Sequence, residues 1–491
     1  MVTSTRKDIC LNCDAVIIPF TENGGLLAAL PKDCKKVVET AVKAKGFEGA
    51  CGEIHSLQVL VEDRLQLVVL AGLGNPKKDT PREIFLAFAK AMAACKAEKA
   101  KSVTVLLDNA KELIGYPDIV RKLCEVPYLT AYSFDYYKTT PQSQKLETVE
   151  FVTEMEGFEA IRKEAADCGE STTFARDLVN HPSMYMTPDQ LAKEAVKMGE
   201  ECGIEVLVYT KPQIEELKMD SFLAVGRGAV DEPRLIVMRY KGGPADQPYT
   251  ALIGKGIMFD SGGYSLKSKM DTMHGDMGGA AAVMGAIRAV AKAGLHINVV
   301  AVVAACKNMI SGDAYVPGDI LHTMNGKTIE MLNADAEGRL TLADAITYAI
   351  RKEGAERLVD IATLTGAASG AVGRFTAAVI ASDHPFYDEM WEASVTSCEK
   401  IWRLNADKEL LACLKSGVAD IKNTAPGSPL GGGTIVAGLF LKEFTEDKPW
   451  IHVDIAPTSW TSEDKPYSCK GGTGYGVSLL YETVRRLAKA E

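Results

Sequence analysis

The sequence lacks any apolar run long enough to cross a bilayer, and its first residues, MVTSTRKD, lack the apolar core of a secretory signal. It also lacks a surplus of positive charge, because 55 basic residues stand against 65 acidic ones, for a net charge of −10. We therefore expect a cytoplasmic protein without membrane association. The charge gives no reason to expect binding to nucleic acid.

The twelve cysteines lack a repeating pattern and fall mostly in apolar or helical contexts. Cys10-Leu-Asn-Cys13 is a lone pair with no second pair and no helix after it, so neither a redox motif nor a zinc site is predicted there. The cysteines are predicted to be reduced and largely buried, as in proteins of a reducing compartment.

The length of 491 residues exceeds one ordinary hydrophobic core, so two domains are expected. In the first third, short apolar strands alternate with helices, one of which opens at Thr80-Pro81 with a cap and a proline at its first position. This alternation predicts an α/β fold with a largely parallel sheet. We expect an α/β domain over 1–150, a linker helix over 151–178, and over 179–491 a larger α/β domain whose central mixed sheet is flanked by helices.

A dinucleotide site is not predicted. Gly72-Leu-Gly74 follows a strand, but the third glycine is missing and the chain continues into Asn75-Pro76 rather than a helix. Nothing else in residues 1–150 assembles a catalytic set.

Charged residues that are difficult to explain as solvated lie between positions 255 and 340. Four carboxylates come from three places, with three cations beside them: Lys255, Asp260, Lys267, Asp276, Asp335, Glu337 and Arg339. Apolar segments surround the region on both sides, so folding is expected to bury these charges. Buried charges persist only if they are paired or bound to metal.

Three of these positions, Lys255, Asp260 and Asp276, are predicted at the ends of elements. A strand over 249–253 is expected to deliver Lys255 at its carboxyl end. Asp260 ends a strand and precedes Ser-Gly-Gly, which lets the backbone approach a ligand closely. Asp276 is predicted to open an Ala/Gly-rich helix, where the helix dipole favours a carboxylate.

Asp335 and Glu337 follow a hairpin predicted around Asn325-Gly326. Because they are two residues apart in what we predict to be an extended segment, both side chains should point to one side. A helix is predicted directly after them, over 338–351.

Two interpretations of the cluster remain open on spacing alone. Four carboxylates without a histidine favour hard or borderline divalent ions, and a pair of such ions can supply both a nucleophile and a Lewis acid. Alternatively, Lys255, Lys267 and Arg339 form a salt-bridge network with the acids.

Two motifs carry a resemblance to a known family. The segments KGIMFDSGGYSLK (255–267) and NADAEGRL (333–340) are similar to the signatures of the leucine aminopeptidase family of metallopeptidases. Similar counterparts exist for 175–180, 221–226, 362–367 and 450–456, so the resemblance covers about residue 174 to the C-terminus. The N-terminal domain is similar only in its general α/β pattern.

The resemblance implies a two-metal aminopeptidase that releases N-terminal residues, leucine-like ones preferred, from short peptides. It implies zinc in most cases, with manganese, cobalt or magnesium able to substitute, and assigns the two ions to five ligands: Lys255, Asp260, Asp276, Asp335 and Glu337. Asp260 and Glu337 would bridge the ions. A lysine ligand must be a neutral amine, which two nearby dications favour.

The resemblance also implies the catalytic and substrate-binding roles. Water bridging the metals would be the nucleophile, Lys267 would stabilise the oxyanion, and Arg339 would hold a bicarbonate that carries the proton to the leaving amine. The α-amine of the substrate would bind beside Asp276. Leu364, in the segment 363–366, would flank the substrate, which Lys255, Asp260, Lys267 and Asp276 also contact.

The chain departs from the family pattern between Lys267 and Asp276, where eight residues form a shorter segment. Asp271 is therefore a rival ligand, but Asp276 is preferred because it precedes Met-Gly-Gly as the ligand in the family does. Met270 and Met273 are candidates for the specificity pocket. Of two nearby histidines, His274 is expected to be solvated and His452 to form hydrogen bonds in the core.

The family further implies a homohexamer of two stacked trimers whose active sites face an inner cavity. Two alternatives remain: a dipeptidase specialised for Cys-Gly, and a DNA-binding regulatory role of the kind seen in some family members. The complete set of ligands argues against an inactive protein, and the net charge argues against a dominant role in binding DNA.

Overall fold

A computed structural model of the chain describes residues 1–6, 12–22, 32–61, 64–140, 146–424 and 430–490. Cys10 lies outside the described residues. The chain divides into two compact units. The N-terminal unit comprises 1–173, 395–398 and 462–470, and the C-terminal unit comprises 174–394, 399–461 and 471–491. The finer division proposed from the sequence, with a separate linker over 151–178, stays a prediction.

The N-terminal unit is built from alternating strands and helices, as the sequence predicts. Its elements are β1 (Val2–Arg6), β2 (Ala15–Phe20), α1 (Lys32–Lys45), β3 (Ile54–Val61), β4 (Arg64–Gly72), α2 (Pro81–Ala97), β5 (Ser102–Leu106), α3 (Lys111–Ile114), α4 (Pro117–Ala131), β6 (Thr148–Val152) and the first part of α5 (Phe158–Asn180). The sheet order is β1-β6-β5-β2-β4-β3. All neighbours are parallel except β3 and β4.

Local sequence signals account for the start of α2. The Thr80 side chain accepts a hydrogen bond from the backbone N–H of Glu83, and the Glu83 carboxylate accepts one from the backbone N–H of Thr80. This capping box satisfies donors that the first turn of a helix leaves unpaired.

Two distant segments complete the core of the N-terminal unit. Cys398 is buried in the apolar cluster that also contains Phe85, and the Tyr467 ring lies 5.4 Å from the Phe85 ring between centroids. The Thr130 hydroxyl donates to the Pro466 carbonyl at 2.9 Å. These contacts hold 395–398 and 462–470 as parts of this unit.

The C-terminal unit contains the larger mixed sheet. Its elements are the rest of α5, then α6 (Pro188–Cys202), β7 (Glu205–Tyr209), α7 (Lys211–Glu216), α8 (Asp220–Gly226), β8 (Arg234–Lys241), β9 (Thr250–Asp260), α9 (Gly278–Ala293), β10 (Asn298–Asn308), β11 (Ile320–His322), β12 (Thr328–Glu330), α10 (Gly338–Arg351), β13 (Arg357–Ala362), α11 (Ala367–Val372), β14 (Ala377–Ala381), α12 (His384–Ser397), β15 (Ile401–Arg403), β16 (Ile421–Lys422), α13 (Gly433–Lys442), β17 (Trp450–Asp454), β18 (Trp460–Thr461), β19 (Gly471–Gly472) and α14 (Val477–Ala490). The last residues of α12, 395–397, belong to the N-terminal unit.

The eight-stranded sheet has the order β15-β14-β17-β13-β9-β10-β8-β7. The four central strands β17, β13, β9 and β10 are mutually parallel, whereas β8 runs antiparallel to β10 and β14 antiparallel to β17. The predicted α/β fold with a central mixed sheet is therefore confirmed. No helix in the described part of the chain is both long and apolar enough to cross a membrane.

Strand β9 is longer than the sequence predicts, and the prediction that Lys255 lies at its carboxyl end is wrong. The strand continues through Gly254-Lys255-Gly256 to Asp260. The glycine is explained by packing, since a Cβ at Gly254 would lie 2.6 Å from the Gly279 carbonyl oxygen in α9. Gly254 therefore permits close contact between sheet and helix rather than ending the strand.

Candidate metal centre

The carboxyl ends of the four parallel central strands meet at one edge of the sheet. Asp260 ends β9, Asn308 ends β10 and Asp454 ends β17, while Thr363 directly follows β13. A cavity of about 690 Å³ opens there. Open α/β sheets commonly bind their ligands at this edge.

Three of the predicted ligands lie close together. One carboxylate oxygen from each of Asp260, Asp335 and Glu337 falls within 4.8 Å of the others. Asp276 joins this group through Lys255, whose Nζ lies 2.8 Å from Asp276 Oδ2 and 2.7 Å from Glu337 Oε1. The structure thus brings all five predicted ligands into one cluster, in which only Asp335 is partly exposed.

Asp335 and Glu337 face the cluster for a different reason than the sequence predicts. The segment is a turn rather than an extended strand. The Asn333 side chain accepts from the backbone N–H of Asp335 at 2.8 Å, and its carbonyl accepts from the N–H of Ala336 at 3.1 Å. Glu337 already has helical dihedral angles at the start of α10. A turn organised by an asparagine side chain therefore replaces the predicted alternation.

The sequence predicts that Asp276 opens a helix, but in the structure it directly follows a 3₁₀ turn over 273–275. Helix α9 begins two residues later, at Gly278. Asp276 Oδ1 accepts from the Thr363 hydroxyl at 2.6 Å and from Lys255 Nζ at 2.9 Å. Asp271, the rival ligand, is exposed, so the structure places Asp276 in the cluster instead.

Both lysines bridge carboxylates. Burial opposes the positive charge of Lys255, but Asp276 and Glu337 outweigh it and raise the pKa of this amine above its usual value. Burial likewise opposes the charge of Lys267, and Asp260 raises its pKa. Lys267 Nζ lies 2.8 Å from Asp260 Oδ2 and also contacts Asp335 Oδ1. Each lysine therefore neutralises part of the cluster.

The cluster still carries more acid than these two lysines balance. Burial raises the pKa of Glu337 to about 8 and that of Asp276 to about 6. Glu337 Oε2 is buried and makes no hydrogen bond. Such an oxygen costs free energy unless a cation binds it. The donor set of carboxylates and one amine fits divalent metal ions.

Arg339 lines the cavity and is nearly fully buried. Its Nη1 donates to the Asn423 carbonyl at 2.8 Å, while its Nε has no hydrogen-bond partner. Burial lowers the pKa of Arg339 to about 10, against the opposite effect of Glu337. The unused donor is suited to an anion in the cavity.

Asp454 is a residue of this region to which the sequence reading gave no role. Its Oδ1 accepts from the backbone N–H of Leu364 at 3.1 Å, and its Oδ2 accepts from the Thr365 hydroxyl at 2.6 Å. Leu364 and Thr365 line the cavity. Asp454 therefore fixes the part of the cavity wall that follows β13. In the sequence, only its position in the family-like segment 450–456 points to a role for this residue.

The two histidines singled out in the sequence, His452 and His274, differ in their burial. His452 is buried with Nδ1 2.5 Å from Asp360 Oδ1, which is the core hydrogen bond that the sequence predicts. His274, which is expected to be solvated, is half-buried. Its ring meets the Trp460 ring edge-on, 5.2 Å between centroids, because Gly275 lets Trp460 pack closely. Of the two candidate methionines, Met273 lines the cavity.

Family comparison, taken together with this fold and site, places the chain in the class of metallo-exopeptidases, hydrolases that release residues from the ends of peptides. The chain belongs to the cytosol aminopeptidase family: the catalytic-domain model of that family matches residues 173–481, and its N-terminal-domain model matches 17–141. The resemblance inferred from the motifs is thereby confirmed.

Relatives of similar length support the assignment. A probable cytosol aminopeptidase of Clostridium perfringens is 44% identical, covering 99% of both chains, and one of Alkaliphilus oremlandii is 40% identical, covering 97% of both. Among solved structures, a mutant tomato leucine aminopeptidase is 33% identical with a TM-score of 0.86, covering 99% of this chain and 96% of that one. The bottromycin maturation enzyme BotP in complex with Mn is 30% identical with a TM-score of 0.85, covering 97% of this chain and 100% of that one.

Proposed function

We propose that this aminopeptidase hydrolyses the N-terminal peptide bond of short peptides, with leucine-like first residues preferred, and that it depends on two divalent metal ions. The observation that carries the proposal is the buried cluster of four carboxylates with only two lysines among them, in which Glu337 Oε2 has no hydrogen-bond partner. The cluster lies beside a cavity large enough for a peptide terminus.

Lys255, Asp260, Asp276, Asp335 and Glu337 would hold the metals. When bound, the ions supply Lewis acidity and lower the pKa of water enough to provide a nucleophile near neutral pH. Lys255 would then be neutral, because the ions replace its contacts with Asp276 and Glu337.

The other residues of the cavity have separate roles in this proposal. Lys267 stabilises negative charge that develops on the carbonyl oxygen of the scissile bond. Arg339, whose Nε has no hydrogen-bond partner, would hold a bicarbonate, and this ion would supply a proton carrier near the leaving amine. The α-amine of the substrate would bind beside Asp276, and Leu364 would flank the substrate chain. A requirement for a free amine would explain release of terminal residues only.

The candidate metals are chosen from the chemistry of the donor atoms and from one structurally similar protein, BotP. Carboxylates with one amine suit zinc and also manganese, cobalt or magnesium. The BotP structure is a complex with Mn. We propose zinc as the resident metal, with the other three able to substitute.

Hydrolysis of a Leu-anilide after chelation and re-addition of each metal tests the proposal. Activity should disappear with the chelator, return with metal, and stay absent in Glu337→Ala. Glu356→Ala is the matched control, because Glu356 lies in an exposed ion pair with Lys448. Absence of activity with every metal would contradict the proposal. Faster turnover of Cys-Gly than of Leu-Gly would replace the leucine preference with a dipeptidase specificity.

We propose that the chain forms a homohexamer of two trimers in the cytoplasm, in accord with its family. Exposed apolar side chains on the C-terminal unit, including Tyr264, Leu266 and Ile310, support burial by a neighbouring subunit. Light scattering of the purified chain should give six times the monomer mass, and a monomer would contradict this assembly.

A further inference from the structure

Asn308 lies beside the cluster, at the end of β10, and has no role among the ligands or cavity residues described above. It is fully buried. The register between β10 and β9 shifts after Cys306, and this irregularity places Asn308 opposite Asp260. Bulges of this kind often redirect a side chain near a functional site.

The amide of Asn308 connects the two segments that carry metal ligands. Its Nδ2 donates to Asp260 Oδ1 at 2.8 Å and to the Ala334 carbonyl at 2.9 Å. Both partners can only accept, so the NH₂ group and not the oxygen must face them. One side chain therefore links the end of β9 to the residue that precedes Asp335.

The surrounding hydrogen bonds show which carboxylate oxygen of Asp260 is already occupied by hydrogen-bond donors. Oδ1 also accepts from the backbone N–H of Gly262 at 2.9 Å, so two donors occupy it. Oδ2 is left to face Lys267 and the cluster. The Ala334 carbonyl receives a second hydrogen bond from the Tyr315 hydroxyl at 2.9 Å, which fixes the other end of the link.

An amide suits this position better than a charged group would. A lysine or arginine could also donate hydrogen bonds but would add a positive charge that repels a bound cation. A carboxylate could not donate to either acceptor while ionised. Asn308 therefore orients Asp260 without changing the net charge available to metal.

We propose that Asn308 is a positioning residue of the metal centre, which holds Asp260 and the turn carrying Asp335 at the separation that metal binding requires. The inference rests on the proposed metal dependence. Outer hydrogen-bond partners of metal ligands typically contribute about 10–100-fold to affinity. The same loss is expected when Asn308 is truncated.

Asn308→Ala, compared with Asn298→Ala, tests the proposal. Asn298 begins the same strand, is buried, and donates through Nδ2 to the carbonyls of Pro244 and Gln247 at 2.6 and 3.0 Å. Each variant removes an amide NH₂ group that donates to two acceptor oxygens. Both should therefore lower the melting temperature of the metal-free full chain. Only Asn308→Ala should weaken zinc and manganese binding, by about 10–100-fold in calorimetric titration.

The outcomes separate this inference from the proposed function. If the wild-type chain binds no metal, the proposed function fails and the positioning role fails with it. If wild type, Asn298→Ala and Asn308→Ala all bind metal with affinities within about threefold, only the positioning role fails. If Asn308→Ala does not fold, Asn308→Ser leaves space for water to hydrate Asp260 Oδ1, and the same loss of affinity is expected.

Discussion

Lys267→Met removes an ammonium that contacts two carboxylates of the cluster while it keeps an unbranched apolar side chain. Nζ lies 2.8 Å from Asp260 Oδ2 and also contacts Asp335 Oδ1. A metal ion bound by these carboxylates must compete with Nζ for their oxygens and is repelled by its charge. The substitution should therefore affect catalysis and metal binding in opposite directions.

The expected changes in kcat and in metal affinity follow from the charge of Lys267 and its contacts with the carboxylates. Loss of a group that stabilises developing negative charge costs about 2.7–4 kcal/mol of transition-state stabilisation, or about 10²–10³-fold in kcat. Two unit charges about 4 Å apart interact by about 4 kcal/mol at an effective dielectric constant of 20. Relief of even a quarter of such a repulsion, about 1 kcal/mol, would tighten metal binding about fivefold.

Steady-state hydrolysis of a Leu-anilide at saturating manganese gives kcat and KM, and calorimetric titration of the metal-free chain gives the affinity. KM should change little, because the interaction is made in the transition state. Lys269→Met is the control, since Lys269 is exposed and only two residues away.

Two results would refute this reasoning. A kcat within about threefold of wild type would remove Lys267 from the chemistry. Weaker metal binding together with lower kcat would mean that Lys267 supports the structure of the cluster rather than competing with the metal.

Three further predictions concern stability and substrate binding. Saturating metal at about 100 times its dissociation constant should stabilise the chain by about 2.7 kcal/mol, measured as a rise in melting temperature that chelation reverses. Burial raises the pKa of Asp344 to about 7, so its contribution to stability is fully present below about pH 4 and is lost as the pH rises through about 7. Denaturant titrations should therefore show a smaller decline over this range for Asp344→Asn than for wild type, and parallel curves would contradict the assignment. Asp454→Ala should raise KM for a Leu-anilide more than it lowers kcat, because Leu364 loses its anchor; an unchanged KM in a folded variant would argue against that role.

Local signals explain why much of the fold was predictable. The helix predicted over 338–351 is α10 at the same residues, because an apolar periodic segment follows a turn. The hairpin around Asn325-Gly326 is present as β11 and β12, and Gly326 has the positive φ of 97° that favours glycine. The motifs at 255–267 and 333–340 also identified charged residues that line the cavity: Lys255, Asp260, Lys267, Asp335, Glu337 and Arg339.

The parts that were not predicted depend on tertiary contacts. Lys255 lies in mid-strand because α9 approaches the sheet at Gly254, which a reading of the sequence alone takes as the end of the strand. Helix α4 was not predicted at all, since Pro127 lies inside it. Asn308 and Asp454 gain their roles only when parallel strands bring distant segments together. No local pattern marks an asparagine as the partner of a carboxylate 48 residues away.

The N-terminal unit includes residues 395–398 and 462–470, and this has a consequence for the order of folding during synthesis. Phe85 packs against Tyr467, so its final environment does not exist until the ribosome has translated nearly the whole chain. Translation at about 5–20 residues per second would leave this apolar surface incomplete for many seconds. A fragment ending at Thr173 would keep it incomplete permanently, so the N-terminal unit is not a module that can be excised or transplanted by cutting the chain once.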